Sequence, residues 1–135
     1  MADPDVLAGL LLARCELMKT QGPTLPVAMP DASFTPPTNG KYLRVDLFTN
    51  APFWEGLKSG KIDQGLLQVT VVWPRNTGAI AIRRAVADVL AHFPKGLALF
   101  APGARVRVNK EPWAASPIIE DDKTSIPVTI SWTAV

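Results

Sequence analysis

Strict alternation of apolar and polar residues is the feature of this sequence that most constrains its fold. In the segment QGLLQVTVVWPRNTG, residues 64–78, one side of a strand is wholly apolar: Leu67, Val69, Val71, Trp73. Pro74 cannot donate a ladder hydrogen bond, so the strand is predicted to end there. The alternation recurs at 43–47, 106–108 and 126–132. This pattern is typical of strands that bury one face and expose the other.

Two segments show helical periodicity instead. The first follows Asp3 and Pro4, which suit a helix start, and its apolar stripe consists of Leu7, Leu11, Cys15 and Met18. The second follows Gly78 and ends before Pro94, with the stripe Ile82, Val86, Val89, Leu90 and Phe93. Together with the strands, they predict one α+β domain over residues 1–135. It would have two layers, a mostly antiparallel sheet of about four to five strands with two helices packed on one face.

The remaining segments are rich in proline and glycine and are predicted to be loops. They cover 24–40, with a short strand at 25–29, then 51–63 and 109–125. Four aromatic residues fall in these loops: Phe34, Phe53, Trp54 and Trp113. Each could fold back as a lid over the core, but four are more than lids require, and aromatic residues near lysine and arginine are favoured at protein–protein contacts.

Composition argues against several chemistries. The chain has one cysteine and one histidine, so it cannot form an internal disulfide and has too few ligands for a Cys/His zinc site. The sequence contains no P-loop, dinucleotide or G-x-S-x-G motif. Residues 7–13 are apolar but have acidic residues on the N-terminal side, which predicts a helix and not a signal peptide. We therefore expect no enzyme, cofactor or metal site, and a reducing cytosol as the place of synthesis.

Two groups of polar residues allow a catalytic or a metal-binding interpretation. Arg84, Asp88 and His92 are spaced four apart, as in a proton relay, but ordinary exposed helix pairs have the same spacing and are the favoured interpretation. The acidic run 120–122 lacks the spacing of a calcium loop, so we interpret it as solvated.

A nucleic-acid-binding domain is the alternative from a different functional class. Arg44, Arg105 and Arg107 are predicted on the polar sheet face, yet the net charge is only +2. Single-strand readers also need aromatic residues on that face, and only Tyr42 and Phe48 qualify.

The sequence resembles the phage tail terminator-like family, relatives of the minor tail protein U of long-tailed phages. The resemblance lies in five segments, which are YLRVDLFTN (42–50), GKIDQGLLQVTVVWPRNTG (60–78), AIRRAVADVLAHFPKG (81–96), RVRVNKEPWAASPIIEDD (105–122) and IPVTISW (126–132). They match in order and spacing over nearly the whole chain, and they are signatures of a fold, not of an active site.

The resemblance implies a structural role in the virion tail, assembled in the bacterial host cytoplasm. Such proteins form a ring, typically of six copies, on the finished tail tube, and a monomer in solution is compatible with that role. The implied partners are further copies of the chain, the major tail tube protein and a head-completion or connector protein, with no membrane and with DNA only as passing cargo. Another head–tail connector is the alternative within this class.

The resemblance fixes no contact residue, so the candidate protein–protein interface is chosen by residue chemistry. The first set lies in two predicted loops and the second on the polar sheet face: Phe53, Trp54, Lys58, Lys61, Lys110 and Trp113, then Arg44, Arg105 and Arg107.

Overall fold

The structure, a computed structural model, describes residues 4–54 and 61–134, with the backbone alone for residues 52–54 and 61. Its elements in chain order are α1 (Pro4–Glu16), a 3-10 turn (Leu17–Lys19), β1 (Val27–Ala28), β2 (Tyr42–Trp54), β3 (Lys61–Pro74), α2 (Ala79–His92), β4 (Ala98–Ala101), β5 (Ala104–Val108), β6 (Trp113–Ala114), β7 (Ile118–Ile119) and β8 (Lys123–Ala134).

The sheet is larger and more curved than the sequence predicts. Of the eight strands in the described part of the chain, six follow the order β1-β2-β3-β8-β5-β4, and β6 and β7 pair with β8 outside this order. β1 pairs with β2 in parallel, and the other pairings are antiparallel. The prediction of a two-layer domain with a four-to-five-stranded, mostly antiparallel sheet is therefore wrong, because the mixed sheet curls strongly into a half-barrel that carries the two helices.

Parts of two predicted loops belong to the sheet. β2 and β3 pair from Tyr42↔Val72 to Trp54↔Lys61, with a register shift between Asn50 and Phe53. Pro52, which cannot donate to a ladder, falls within that irregularity, as expected for proline in a strand. The predicted loop at 109–125 contains the two-residue strands β6 and β7. The short strand predicted within 25–29 is confirmed as β1.

Alternation assigns the two faces of the sheet. One face packs with the predicted helical stripes in a single core; we call it the helix-covered face, and its central residues are Leu43, Val45, Leu67, Val69, Val71, Val106, Val108, Val128, Ile130 and Trp132. The stripe residues Leu11, Cys15 and Val89 are fully buried against it. Among the described side chains, those at the alternate positions of these strands, such as Arg44, Leu66 and Arg107, point away from the helices, and we call that side the helix-free face.

Close packing on the helix-covered face depends on Gly65. This residue is directly opposite Trp132, which is 2% exposed. A β-carbon placed on Gly65 would lie 2.2 Å from the carbonyl oxygen of Phe48 and 2.6 Å from Cζ2 of Trp132. Glycine in a strand often marks such a close approach, and here the missing side chain makes room for an indole ring.

Candidate functional site

The helix-free face combines exposed aromatic and basic side chains. Arg44 is exposed on β2, and Arg105 and Arg107 are exposed on β5, as their phase in the alternation predicts. Pairing places Arg44 opposite Thr70 and Arg107 opposite Thr133. Because β3 and β8 lie between β2 and β5, the two strands are about 14 Å apart across the sheet, and the register also places Arg44 level with Pro127 and Arg107 level with Thr133, about 20 Å apart along β8. They therefore form two separate basic groups.

The charges on this face are weakly paired. Arg44 Nε lies 3.6 Å from Asp46 Oδ2, and both side chains are nearly half exposed, so the pair contributes little to stability. Within residues 4–54 and 61–134, neither Arg105 nor Arg107 has an ion-pair partner. Their guanidinium groups are consequently available to an acidic surface of another molecule.

Trp113 also reaches this face. β6 pairs with β8 so that Trp113 lies opposite Thr129, and the indole remains 49% exposed. Lys110 is exposed just beyond β5. Trp113 therefore does not cover the core as a lid. Phe34 packs against Tyr42, and their ring centroids are 5.2 Å apart.

The structure describes only part of the remaining predicted contact residues. The backbone of Phe53 and Trp54 ends β2, opposite Ile62 and Lys61. Their side chains, that of Lys61, and the whole of Lys58 lie outside the described part of the structure. The contact surface formed by the first predicted set therefore stays a prediction.

Two exposed aromatic residues on this face are absent from the predicted protein–protein interface. Phe48 on β2 is 49% exposed and Phe100 on β4 is 70% exposed. Pairing of Phe48 with Leu66, and of Phe100 with Arg105, puts both on the helix-free face. For Phe48 the available signal was an aromatic residue in the polar phase of the alternation, next to Asp46.

The Arg84–Asp88–His92 relay is not formed. Arg84 and Asp88 line an open cleft of about 650 Å³ beside the start of α2, and His92 is not among its lining residues. His92 is buried, so the interpretation of all three as a solvated helix face is wrong for this residue. Its Nε2 lies 2.8 Å from the carbonyl oxygen of Arg14, whose Nη2 donates at 2.8 Å to the carbonyl oxygen of His92.

These reciprocal bonds join the end of α1 to the end of α2, in a buried environment that changes the pKa of the ring. Burial lowers the pKa of His92 most strongly. The hydrogen bond to the Arg14 backbone raises that pKa, and the positive charge of Arg14 lowers it further. The net pKa is below the ordinary histidine value, so at neutral pH the ring is an uncharged structural link.

The described residues offer neither a metal site nor a membrane helix. Among them, no group of three or more histidine, cysteine or acidic residues could hold a metal ion. No helix in residues 4–54 and 61–134 has both the length and the hydropathy to cross a membrane.

The fold defines a class of small, strand-rich protein in which a curled mixed sheet carries two helices and leaves one face with exposed aromatic and basic side chains. The model of the phage tail terminator protein family matches residues 7–132, so the chain belongs to that family. It is thus a structural component of a phage tail, in a family that is not typically enzymatic. The family resemblance of the sequence is confirmed.

One solved structure, whose name states no function, is similar over 100% of this chain and 97% of its own length, with a TM-score of 0.83 and 26% identity. No curated protein matches the chain.

Proposed function

We propose that this protein terminates the tail of its phage. It would form a ring on the end of the tail tube, stop the addition of tube subunits and present the surface on which the head docks. Family membership over residues 7–132 is the observation that carries this proposal. The ring would typically contain six copies, as the family resemblance implies.

The helix-free face supports the proposal physically. A tail tube is an open stack whose end keeps binding the next subunits, so a terminator must bind that end and offer a different surface beyond it. Exposed Phe48 and Trp113 can pack against a partner, and Arg105 and Arg107 can pair with acidic groups. In a ring each modest contact is repeated in every subunit, which raises the combined affinity.

The interface would comprise the predicted residues together with Phe48 and Phe100. Phe53, Trp54, Lys58 and Lys61 would contribute from the β2–β3 tip, and Lys110 and Trp113 from the segment after β5. Arg44, Arg105 and Arg107 would lie between neighbours or towards the lumen, where positive charge would ease the passage of DNA.

Deletion of the gene tests this function. After induction of the phage lacking it, tail lengths are measured by negative-stain electron microscopy. We expect overlong tubes without heads, and a plasmid copy of the gene should restore normal length. Tails of normal length joined to heads would refute the proposal. Tails of normal length without heads would indicate a connector role in its place.

A further inference from the structure

Within residues 4–54 and 61–134, the sheet has two unpaired edges that differ in position and form. At one end, β4 is the last strand. At the other end, β1 covers β2 only at Leu43 and Arg44, so in the described structure the edge of β2 is open beyond Val45. Open edges expose a row of backbone donors and acceptors and are templates for another strand.

On β4 the free backbone groups belong to Ala98 and Phe100. Gly96 has φ +89°, its N–H donates to the Val108 carbonyl oxygen at 2.8 Å, and the Val108 N–H donates to the Leu97 carbonyl oxygen at 2.9 Å. This is the pattern of a bulge with glycine in the left-handed conformation. Hydrogen-bonded and non-hydrogen-bonded pairs then alternate, so Leu99 bonds to β5, whereas the N–H and C=O of Ala98 and Phe100 point outwards.

On β2 the free backbone groups lie between Val45 and Thr49. The Leu43 N–H donates to the Pro26 carbonyl oxygen at 2.9 Å, so odd-numbered residues of β2 direct their backbone groups away from β3. The register of Ala28 with Arg44 also occupies the N–H of Val45. The open groups are then the C=O of Val45, the N–H and C=O of Leu47, and the N–H of Thr49.

The two edges match in direction and in hydrogen-bonding groups. Antiparallel pairings connect β2 to β3, β8, β5 and β4 in turn, so β4 runs in the same direction as β2. If a neighbouring copy continues the sheet, its β2 therefore meets β4 in parallel. The N–H groups of Ala98 and Phe100 would donate to the carbonyls of Val45 and Leu47, and the N–H groups of Leu47 and Thr49 would donate to the carbonyls of Ala98 and Phe100.

We propose that β4 of each copy pairs in parallel with the β2 edge of the next copy and so closes the ring. In this register Ala98 lies beside Asp46, and Phe100 lies beside Phe48. This inference rests on the proposed function. A parallel ladder needs a residue with outward backbone groups beside one whose groups point inward, and Phe100 and Phe48 satisfy this.

The side chains on the helix-free face agree with this register. Phe48 and Phe100 are both exposed on that face, and the pairing would place the two rings side by side and remove them from water. Arg107 lies opposite Ala98, whose small side chain would let the guanidinium extend towards Asp46 of the next copy. The apolar and charged groups at the two edges are thus complementary.

A second copy of the chain is the occupant that this geometry favours. The two edges differ and lie at opposite ends of one sheet, so their contact is head-to-tail, and such contacts generate closed rings when the rotation between copies allows closure. A symmetric dimer would instead join two like edges. The strong curl of the sheet supplies a rotation between its two ends.

Thiol cross-linking in assembled tails tests the register. The variant Phe48→Cys with Phe100→Cys is expressed beside the wild-type gene, whose product maintains tail assembly, and purified tails are treated with a short bifunctional thiol reagent. We expect a ladder of covalent multimers of this protein. The native Cys15 is fully buried and should add no background. Phe48→Cys combined with Ile80→Cys is the matched control, since Ile80 is 71% exposed on α2, and it should give no ladder.

The outcomes separate the register from the function. If tails of normal length contain the double-cysteine protein and yield no ladder, the register is overturned and the proposed function stands. Cross-links to the tube subunit alone would also overturn it, because the edge would then bind the tube. Absence of the wild-type protein from purified tails would overturn the proposed function and the ring with it.

A proline variant tests the same edge without relying on cysteine chemistry. Ala98→Pro removes a donor that points away from β5, so the monomer should fold with an unchanged circular-dichroism spectrum. We expect overlong tails, as in the deletion. Ala98→Ser keeps both the donor and a small side chain and should restore tail length. A folded Ala98→Pro protein that restores normal tails would overturn the pairing.

Discussion

The two faces of the same sheet are built by different rules. On the helix-covered face the alternating positions are apolar and buried, from Leu43 and Leu67 to Val128. The helix-free face contains both buried residues, such as Thr70 and Val72, and exposed ones, such as Phe48 and Trp113. The first face has one task, to exclude water, whereas the second combines stability with contacts to other molecules. The comparison predicts that substitutions on one face change folding and those on the other change assembly.

The largest effect on folding is expected for Gly65→Ala. The new methyl group would clash with the backbone of Phe48 and with Trp132. We expect a loss in the free energy of unfolding of about 3 kcal/mol or more, at the upper end for overpacked cores. Urea denaturation of the purified protein measures it.

The same substitution at Gly9 is the control for this prediction. Gly9 lies inside α1, and a methyl group added there would meet no neighbouring side chain within 4 Å. Gly9→Ala should therefore raise the free energy of unfolding by about 0.5–1 kcal/mol, because alanine favours a helix more than glycine does. Equal effects at the two glycines would contradict the packing described around Trp132.

Neighbouring leucines on β3 compare the two faces directly. Leu67 is fully buried on the helix-covered face, and Leu66, the preceding residue, is only partly buried on the helix-free face. Leu67→Ala should cost about 3 kcal/mol, as is usual for a cavity in a core, and Leu66→Ala about 1 kcal/mol or less. Chemical denaturation of both variants gives the difference, and a larger loss for Leu66→Ala would reverse the assignment of the faces.

Acid should weaken the link between the two helices. His92 has a lowered pKa in the folded protein, so below the ordinary value of about 6.5 the unfolded chain binds the proton more readily. The stability that this group contributes is therefore present above about pH 6.5 and is lost as the pH falls towards the lowered pKa. His92 is the only histidine, so NMR of its ring protons reports this pKa directly.

The control is His92→Gln, which removes the titrating group. Its urea midpoint should change less between about pH 7.5 and 5.5 than that of the wild type, because only the wild type gains a proton at this position on unfolding. Identical pH profiles would show that the ring does not contribute to this dependence.

The smallest effect on folding is expected on the helix-free face. Phe48→Ala and Trp113→Ala should each change the free energy of unfolding by about 0.5 kcal/mol or little more, as for most surface positions. Both should nevertheless impair restoration of tail length in the deletion strain. Ile80→Ala, which removes an exposed apolar side chain from α2, is the matched control and should restore it. Full restoration of tail length by both Phe48→Ala and Trp113→Ala would show that the helix-free face is not needed for assembly.

The sequence predicts the parts of the fold that repeat a period. Alternation predicts β5 and most of β8, and the helical stripes predict the residues that α1 buries and three of the five that α2 buries, with Ala85 and His92 missing. β4 was missed because Ala98-Leu99-Phe100-Ala101 has no alternation, and β6 and β7 are too short to have a period. Residues 51–54 form the end of β2, but the sequence predicts a loop there because Pro52 and two aromatic residues interrupt the alternation of apolar and polar residues.

The candidate site was predictable only in part, for a related reason. Exposure of Arg44, Arg105 and Arg107 follows from alternation within each strand. The position of Phe100 depends on β4 being a strand at all, and the burial of His92 depends on Arg14, 78 residues earlier in the chain. Local patterns contain no information on such distant contacts.

The most direct test of termination is an elongation assay on tail tubes. Tubes isolated from the deletion strain are incubated with the purified protein and then supplied with fluorescent tube subunits. We expect the wild-type protein and the Ile80→Ala variant to stop tube growth when a small number of their copies are bound per tube end. The Trp113→Ala variant should stop growth less effectively. Continued growth in saturating wild-type protein would contradict the account.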